Sequence, residues 1–136
     1  MDAGLKVAFT STDGQTIDQH FGMTTQFHVW EIGPEQAQFV KKVSAITRAQ
    51  DEEDKIAARA NAIADCAIVY TVQIGGPAAA KLVSHRIHPM KTGAEVPIAE
   101  IVGKLQQVLR GKPPPWLRKA MGEAPAPESV MAPADE

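Results

Sequence analysis

The stretch CAIVYTVQIGGPAAAKLVSH, residues 66–85, decides the fold. Its first seven residues are an unbroken apolar run of strand length, the kind that a sheet buries on both faces. Two glycines, Gly75 and Gly76, then turn the chain into a segment whose Pro77 suits the first position of a helix. A short strand, IHPMKT (residues 87–92), follows at once. A strand, a helix and a strand in this order require a crossover connection, so the two strands lie parallel in one sheet.

Working upstream, the period changes to that of a helix. Residues 51–54, DEED, put acids at a helix start, where the peptide dipoles favour them, and Ile56, Ala60, Ile63 and Ala64 follow on one face. Before this helix stand QFHVWEI (26–32) and AQFVKKVSA (37–45), joined by the reversal GPEQ, which is the pattern of a β-hairpin. LKVAFT (5–10) reads as a central strand running into a loop at residues 11–25. Downstream, a helix opens at Pro97, carries Ile98, Ile101, Val102, Leu105, Val108 and Leu109 in one stripe, and stops at Gly111. The elements therefore run β-β-β-α-β-α-β-α. The expected class is α/β, a mixed five-stranded sheet in the order 3-2-1-4-5 with helices on its faces.

The 136 residues and 44% hydrophobic content suit one core, so one domain over 1–121 is expected. KPPPWLRKAM closes this domain, and the Pro/Ala/acidic stretch that follows buries too little apolar surface to fold alone, so residues 122–136 are expected to be a disordered tail. All 14 basic residues lie at or before Lys119, while Glu123, Glu128, Asp135 and Glu136 lie beyond it, leaving +2 on residues 1–119 and −4 on the rest. This balance is no nucleic-acid stripe, yet it does not repel an anionic small ligand. No apolar run approaches a membrane span, and the start has no secretory pattern, so a cytoplasmic protein is expected. Cys66, the single cysteine, makes no internal disulfide and supplies no multi-thiolate metal site by itself.

In an open α/β sheet, ligands gather beyond the carboxyl ends of the parallel strands. Three segments meet there: the loop after the first strand, IGGPA (74–78), and KTGAEVP (91–97) with Lys91. Gly75 and Gly76 let backbone approach a ligand, and the helix behind them aims free amides at it; the same glycines also suit a plain strand-to-helix turn. DQHFG (18–22) carries two readings. In one, His20 offers a neutral imidazole nitrogen to a metal, with Asp18 or Gln19 orienting it, Phe21 anchoring the loop and Gly22 bending it. In the other, Phe21 plugs the core, Asp18 caps a turn and His20 is merely solvated. Cys66 opens its strand at the far end of the sheet, where a small buried hydrophobe is the ordinary role, and it is retained as a weak second metal candidate. His28 within its strand suits a structural role, and His85 and His88 suit a turn. Trp116 among Arg110, Lys112, Arg118 and Lys119 reads as either a solvated helix end or an interaction face.

Taken together, LKVAF, IDQHFG, DCAIVY, IGGPAAAKL, IHPMK, IAEI and PPPWLRKAM resemble the dinitrogenase iron-molybdenum cofactor biosynthesis domain, from Leu5 to Met121. The closing stretch is similar to stand-alone members of the NifX and NafY type. The resemblance implies a ribonuclease H-like fold and a carrier that binds an iron-sulfur precursor of the iron-molybdenum cofactor and moves it from NifB to a NifEN scaffold. It also implies that His20 is the residue associated with the cofactor. A monomer or weak homodimer is expected.

Two rival functions remain: a small-anion or nucleotide-binding regulatory module using IGGPA with Lys91, and a protein-interaction adaptor acting through Trp116. A nuclease of the same fold would need carboxylates on the central strands, and LKVAFT and AIVYTV have none. No nucleophile, base and orienting acid form a set, so a non-enzyme is expected.

Overall fold

Every second residue of the first strand faces the same layer, and that alternation organises the molecule. The computed structural model describes residues 5–48 and 50–120. Strand β1 (Leu5–Thr10) sends Leu5, Val7 and Phe9 into one hydrophobic layer and Ala8 into the other. It sits at the centre of a five-stranded sheet with β3 (Gln26–Ile32) and β4 (Ala37–Ser44) on one side and β5 (Ile68–Thr71) and β6 (His88–Lys91) on the other. The order across the sheet is β4-β3-β1-β5-β6. The hairpin strands pair antiparallel, Val7 opposite Trp30, whereas β1–β5 and β5–β6 are parallel, Phe9 aligning with Tyr70 and Tyr70 with Met90. A mixed sheet with helices on its faces is therefore what the chain builds.

Helix α1 (Glu52–Ala62) and helix α2 (Gly76–Ser84) cover one face, with Phe21, Phe27, Val29, Ile63, Val69 and Leu82 between them and the sheet. Helix α3 (Ile98–Arg110) covers the other, laying Ile98, Ile101, Val102 and Leu105 over Phe9, Ile68 and Tyr70. Each large side chain buried this way contributes roughly 1.5–3 kcal/mol. Asp51 caps α1 by accepting a hydrogen bond from the Asp54 amide at 3.3 Å, so one member of the acidic run precedes the helix.

Two features depart from the sequence-based expectation. The loop of residues 11–25 holds a two-residue strand β2 (Thr16–Ile17), which pairs antiparallel with β7 (Val96–Pro97). Two-residue strands leave no periodic signal, and the proline in β7 argues against one. The pairing, with the Ile98 amide donating to the Gln15 carbonyl at 2.8 Å, ties this loop to the start of α3.

The second departure is α4 (Pro115–Ala120), a further helix after the one at which the expected element order ends. Leu117 is fully buried in the α3 layer, and the Trp116 indole stacks on the His88 imidazole at 4.4 Å between centroids. Proline at the helix start loses no hydrogen bond there, and one leucine plus one indole on an existing core suffice to dock a single turn. Trp116 is thus half-buried, and the exposed Arg110 donates to the Pro34 carbonyl at 2.7 Å. The expected tail, residues 122–136, lies outside the described residues.

Candidate functional site

At the carboxyl end of the sheet two threonines lie side by side. Thr10 ends β1 and Thr71 ends β5; both are fully buried, with their hydroxyl oxygens 3.2 Å apart. Buried hydroxyls demand partners. They find one in the Gln19 backbone carbonyl, which accepts from Thr10 Oγ1 at 2.8 Å, from Thr71 Oγ1 at 2.9 Å and from the Val72 amide at 3.0 Å. Two residues later the Phe21 amide donates to the Gln73 carbonyl at 2.9 Å, and the Phe21 ring is wholly buried against Phe27. The His20 carbonyl accepts from the Met23 and Thr24 amides.

His20 is consequently held at its backbone on both sides while its imidazole is exposed. Among the described residues, no hydrogen bond is made to that ring. Phe21 anchors the loop, as the sequence suggests, and Gln19 works through its carbonyl; its side-chain amide reaches only the Asp18 carbonyl, at 3.2 Å.

Asp18 follows the second of the two readings, closing the loop and leaving His20 without it. Its two carboxylate oxygens accept from Thr12, one from the amide at 3.0 Å and the other from the hydroxyl at 2.6 Å. It closes the loop on itself and makes no hydrogen bond to His20 among the described residues. Asp13 does similar work: its carboxylate accepts from the Gln15 and Thr16 amides, and these bonds hold its pKa below the ordinary value. Beneath the loop, the His28 imidazole lies against Gly14, whose φ of +79° is the left-handed conformation that glycine favours. Burial, with Lys42 nearby, pushes the His28 pKa down, so the ring is neutral at pH 7. Residue types alone gave no sign of the Gly14–His28 contact. The two threonines closing parallel strands were a readable signal, and sequence reasoning passed over them.

Next to the Phe21–Gly22 end of this loop lies a pocket of about 140 Å³ lined by Phe21, Gly22, Glu52, Ile56, Arg59 and Gly75, among others. Gly22 sits inside the turn that the Met23 and Thr24 amides close on the His20 carbonyl, and Gly22, Gly75 and Gly76 all have φ outside the left-handed region. A Cβ on Gly22 or Gly76 would meet nothing within 4 Å, and one on Gly75 would meet only Pro77 Cδ at 4.0 Å. These three positions present open backbone to the exterior. Gly75 caps α2 without a side-chain hydrogen bond, so first-turn amides of α2 lie toward the same opening. Arg59 brings positive charge there, with Nη2 donating to the Thr24 carbonyl at 3.2 Å.

The structure therefore brings His20, Gly22, Gly75 and Gly76 to one end of the sheet. Lys91 does not line this pocket; it lines a separate cleft between β6 and α3. Cys66 lies just before β5, at the opposite end of the sheet. It is 4% exposed, and burial pushes its thiol up to about 12, so the thiolate needed for metal ligation is scarce. Among the described residues, no three His, Cys, Asp or Glu side chains gather as a metal-ion site, and no helix is long and apolar enough to cross a membrane.

Comparison with known proteins places these features in a family. Residues 4–108 match the family model for dinitrogenase iron-molybdenum cofactor. The chain is 43% identical over 122 residues to Protein NifX of Herbaspirillum seropedicae, covering 88% of this chain and 84% of that one. It is 40% identical over 121 residues to Protein NifY of Azotobacter vinelandii, covering 89% of this chain and half of that protein. The crystal structure of PH0822 superposes with a TM-score of 0.61 at 22% identity, over 76% of this chain and 91% of the other, a likeness of fold. The chain belongs to the dinitrogenase iron-molybdenum cofactor family.

Proposed function

We propose that this protein serves iron-molybdenum cofactor biosynthesis as a carrier, taking an iron-sulfur precursor of the cofactor from NifB and delivering it to a NifEN-type scaffold. The observation that carries the reading is the treatment of His20: its backbone is fixed between the Gln19 carbonyl and the Phe21 amide, while its ring is exposed and unengaged among the described residues. A preassembled cluster brings its own bridging sulfides and a negative charge. Its carrier needs one exchangeable ligand and a few donors, and a multi-thiolate cage would slow release.

His20 would supply the exchangeable nitrogen. The open backbone at Gly22, Gly75 and Gly76 lets a bulky guest approach, and the α2 amides favour its charge, with Arg59 offsetting Glu52 in the pocket lining. The guest is cargo; no bond-making step falls to the protein, and the role is that of a non-enzyme. The mixed sheet, with three antiparallel strands followed by two parallel ones, supports a ribonuclease H-like classification.

The test is anaerobic loading of the full chain with purified precursor cluster, followed by absorption and electron paramagnetic resonance. His20→Ala is expected to weaken uptake at least about tenfold, and Cys66→Ser to leave it unchanged. Equal uptake by wild type and His20→Ala would remove His20 from the site, and no uptake by wild type would end the carrier reading.

A further inference from the structure

The face of the sheet opposite the Gly22–Gly75 pocket carries a second, larger cavity. A cleft of about 360 Å³ opens between β6, α3 and α4, within the size range of small-ligand pockets, roughly 300–1,000 Å³. Its walls are apolar, with Met90 from β6, Leu105 and Val108 from α3, and Trp116 from α4. Trp116 is braced from behind by its stack on His88, so the wall is preformed.

Tyr70 adds a hydroxyl to this lining. The residue is 7% exposed overall and its ring packs flat on Phe9 at 5.7 Å, while the hydroxyl makes no hydrogen bond among the described residues and is open to the solvent of the cleft. A hydroxyl that meets only water beside apolar walls has a donor to offer a ligand. Burial pushes its pKa up to about 12, so the proton stays on the oxygen at neutral pH. Lys91 and Lys104 also line the cleft, against a single acid, Glu100, which pairs with Lys104 at 3.3 Å on the exposed surface. Lys91 has no ion-pair partner among the described residues.

We propose that this cleft binds a small amphipathic acid, its apolar, ring-sized body lying over Met90, Leu105 and Trp116 and its carboxylate accepting from the Tyr70 hydroxyl beside Lys91. Charge complementarity selects the anion: Lys104 and Glu100 offset each other as a pair, which leaves the Lys91 ammonium and the neutral Tyr70 donor to meet a carboxylate. The apolar walls select the body, because a small hydrophilic anion would gain nothing from them. The site is independent of the carrier reading, since neither His20 nor the Gly22–Gly75 opening takes part.

Titration of the nitrogen-15-labelled full chain with 2-naphthoate, and with the uncharged match 2-naphthalenemethanol, tests this by nuclear magnetic resonance. Saturable shifts are expected at Tyr70, Met90, Leu105 and the Trp116 indole, with the acid bound at least about fivefold tighter than the alcohol. Tyr70→Phe and Lys91→Ala should each erase most of that preference, and His20→Ala should leave it intact. Should Tyr70→Phe fail to fold, Lys91→Ala, at an exposed position, carries the same comparison. Equal affinity for acid and alcohol, unchanged naphthoate affinity in the Lys91 variant, or no saturable shifts at the cleft up to millimolar probe would overturn the proposal.

Discussion

Gly14 lies directly against His28: a Cβ added to the glycine would stand 2.9 Å from the imidazole Cε1. The contact joins the loop that presents His20 to the strand beneath it. Gln26 reinforces it, donating from Nε2 to the Ser11 and Thr12 carbonyls at 3.2 and 3.1 Å and lying 3.2 Å from His28 Nε2.

Gly14→Ala should therefore be destabilising on two counts, a left-handed φ of +79° and a collision with a buried ring that has little room to move. A loss of about 1–3 kcal/mol is expected by urea denaturation. A change within about 0.5 kcal/mol would show that the imidazole yields and the loop is not clamped there.

Thr71→Val keeps the volume of the side chain and removes its hydroxyl from the Gln19 carbonyl, which retains Thr10 Oγ1 and the Val72 amide. The expected cost is about 1 kcal/mol of global stability. Amide exchange at Phe21 should quicken more than exchange in β1, because the loop is released before the sheet. Uniform quickening would assign Thr71 to the sheet alone.

His28 links stability to pH. Burial, then the Lys42 charge, depress its folded-state pKa, while Asp13 and Asp18 oppose the shift without reversing it. The unfolded chain consequently binds the proton more readily, with the ordinary value near 6.5. Stability is complete above that value, falls as pH drops through it, and levels off once pH is below the folded pKa. His28→Gln should flatten the part of this decline that His28 causes, leaving the part due to His88, which burial also depresses. An identical pH profile in wild type and variant would show that His28 titrates alike in both states.

Cys66 should resist thiol reagents. With 4% exposure and a pKa pushed up to about 12, its thiolate is scarce at pH 8 and shielded from collision. Ellman's reagent is expected to label it in urea and to leave the native protein unlabelled over the same minutes. Rapid native labelling would contradict the burial and reopen Cys66 as a ligand.

Leu117→Ala should cost about 2–5 kcal/mol, since the side chain is fully buried in the α3 layer. Thermal unfolding reads the loss. A negligible change would mean that α4 merely rests on the core.

Local signals were enough to write the mixed five-stranded sheet and its three main helices. Uninterrupted apolar runs such as CAIVYTV, the reversal GPEQ and the stripe from Ile98 to Leu109 each act over a few residues, and so are visible in a linear text. The same text marked DQHFG as the loop to watch, yet left its two readings open, since residue types alone do not say which side chains the loop buries. It failed at α4, where docking of Trp116 and Leu117 depends on His88 and on a layer assembled from distant segments. It failed again at β2 and β7, 80 residues apart and only two residues each.

The division follows from range. Backbone periodicity and turn chemistry belong to neighbours in the chain, so the order of amino acids alone settled which segments are strands and helices. Which donor meets which acceptor belongs to neighbours in space. Only the folded chain decided that Asp18 closes on Thr12, that Lys91 lines a cleft apart from the Gly22–Gly75 pocket, and that Thr10 and Thr71, 61 residues apart, share the Gln19 carbonyl and leave the adjacent imidazole exposed.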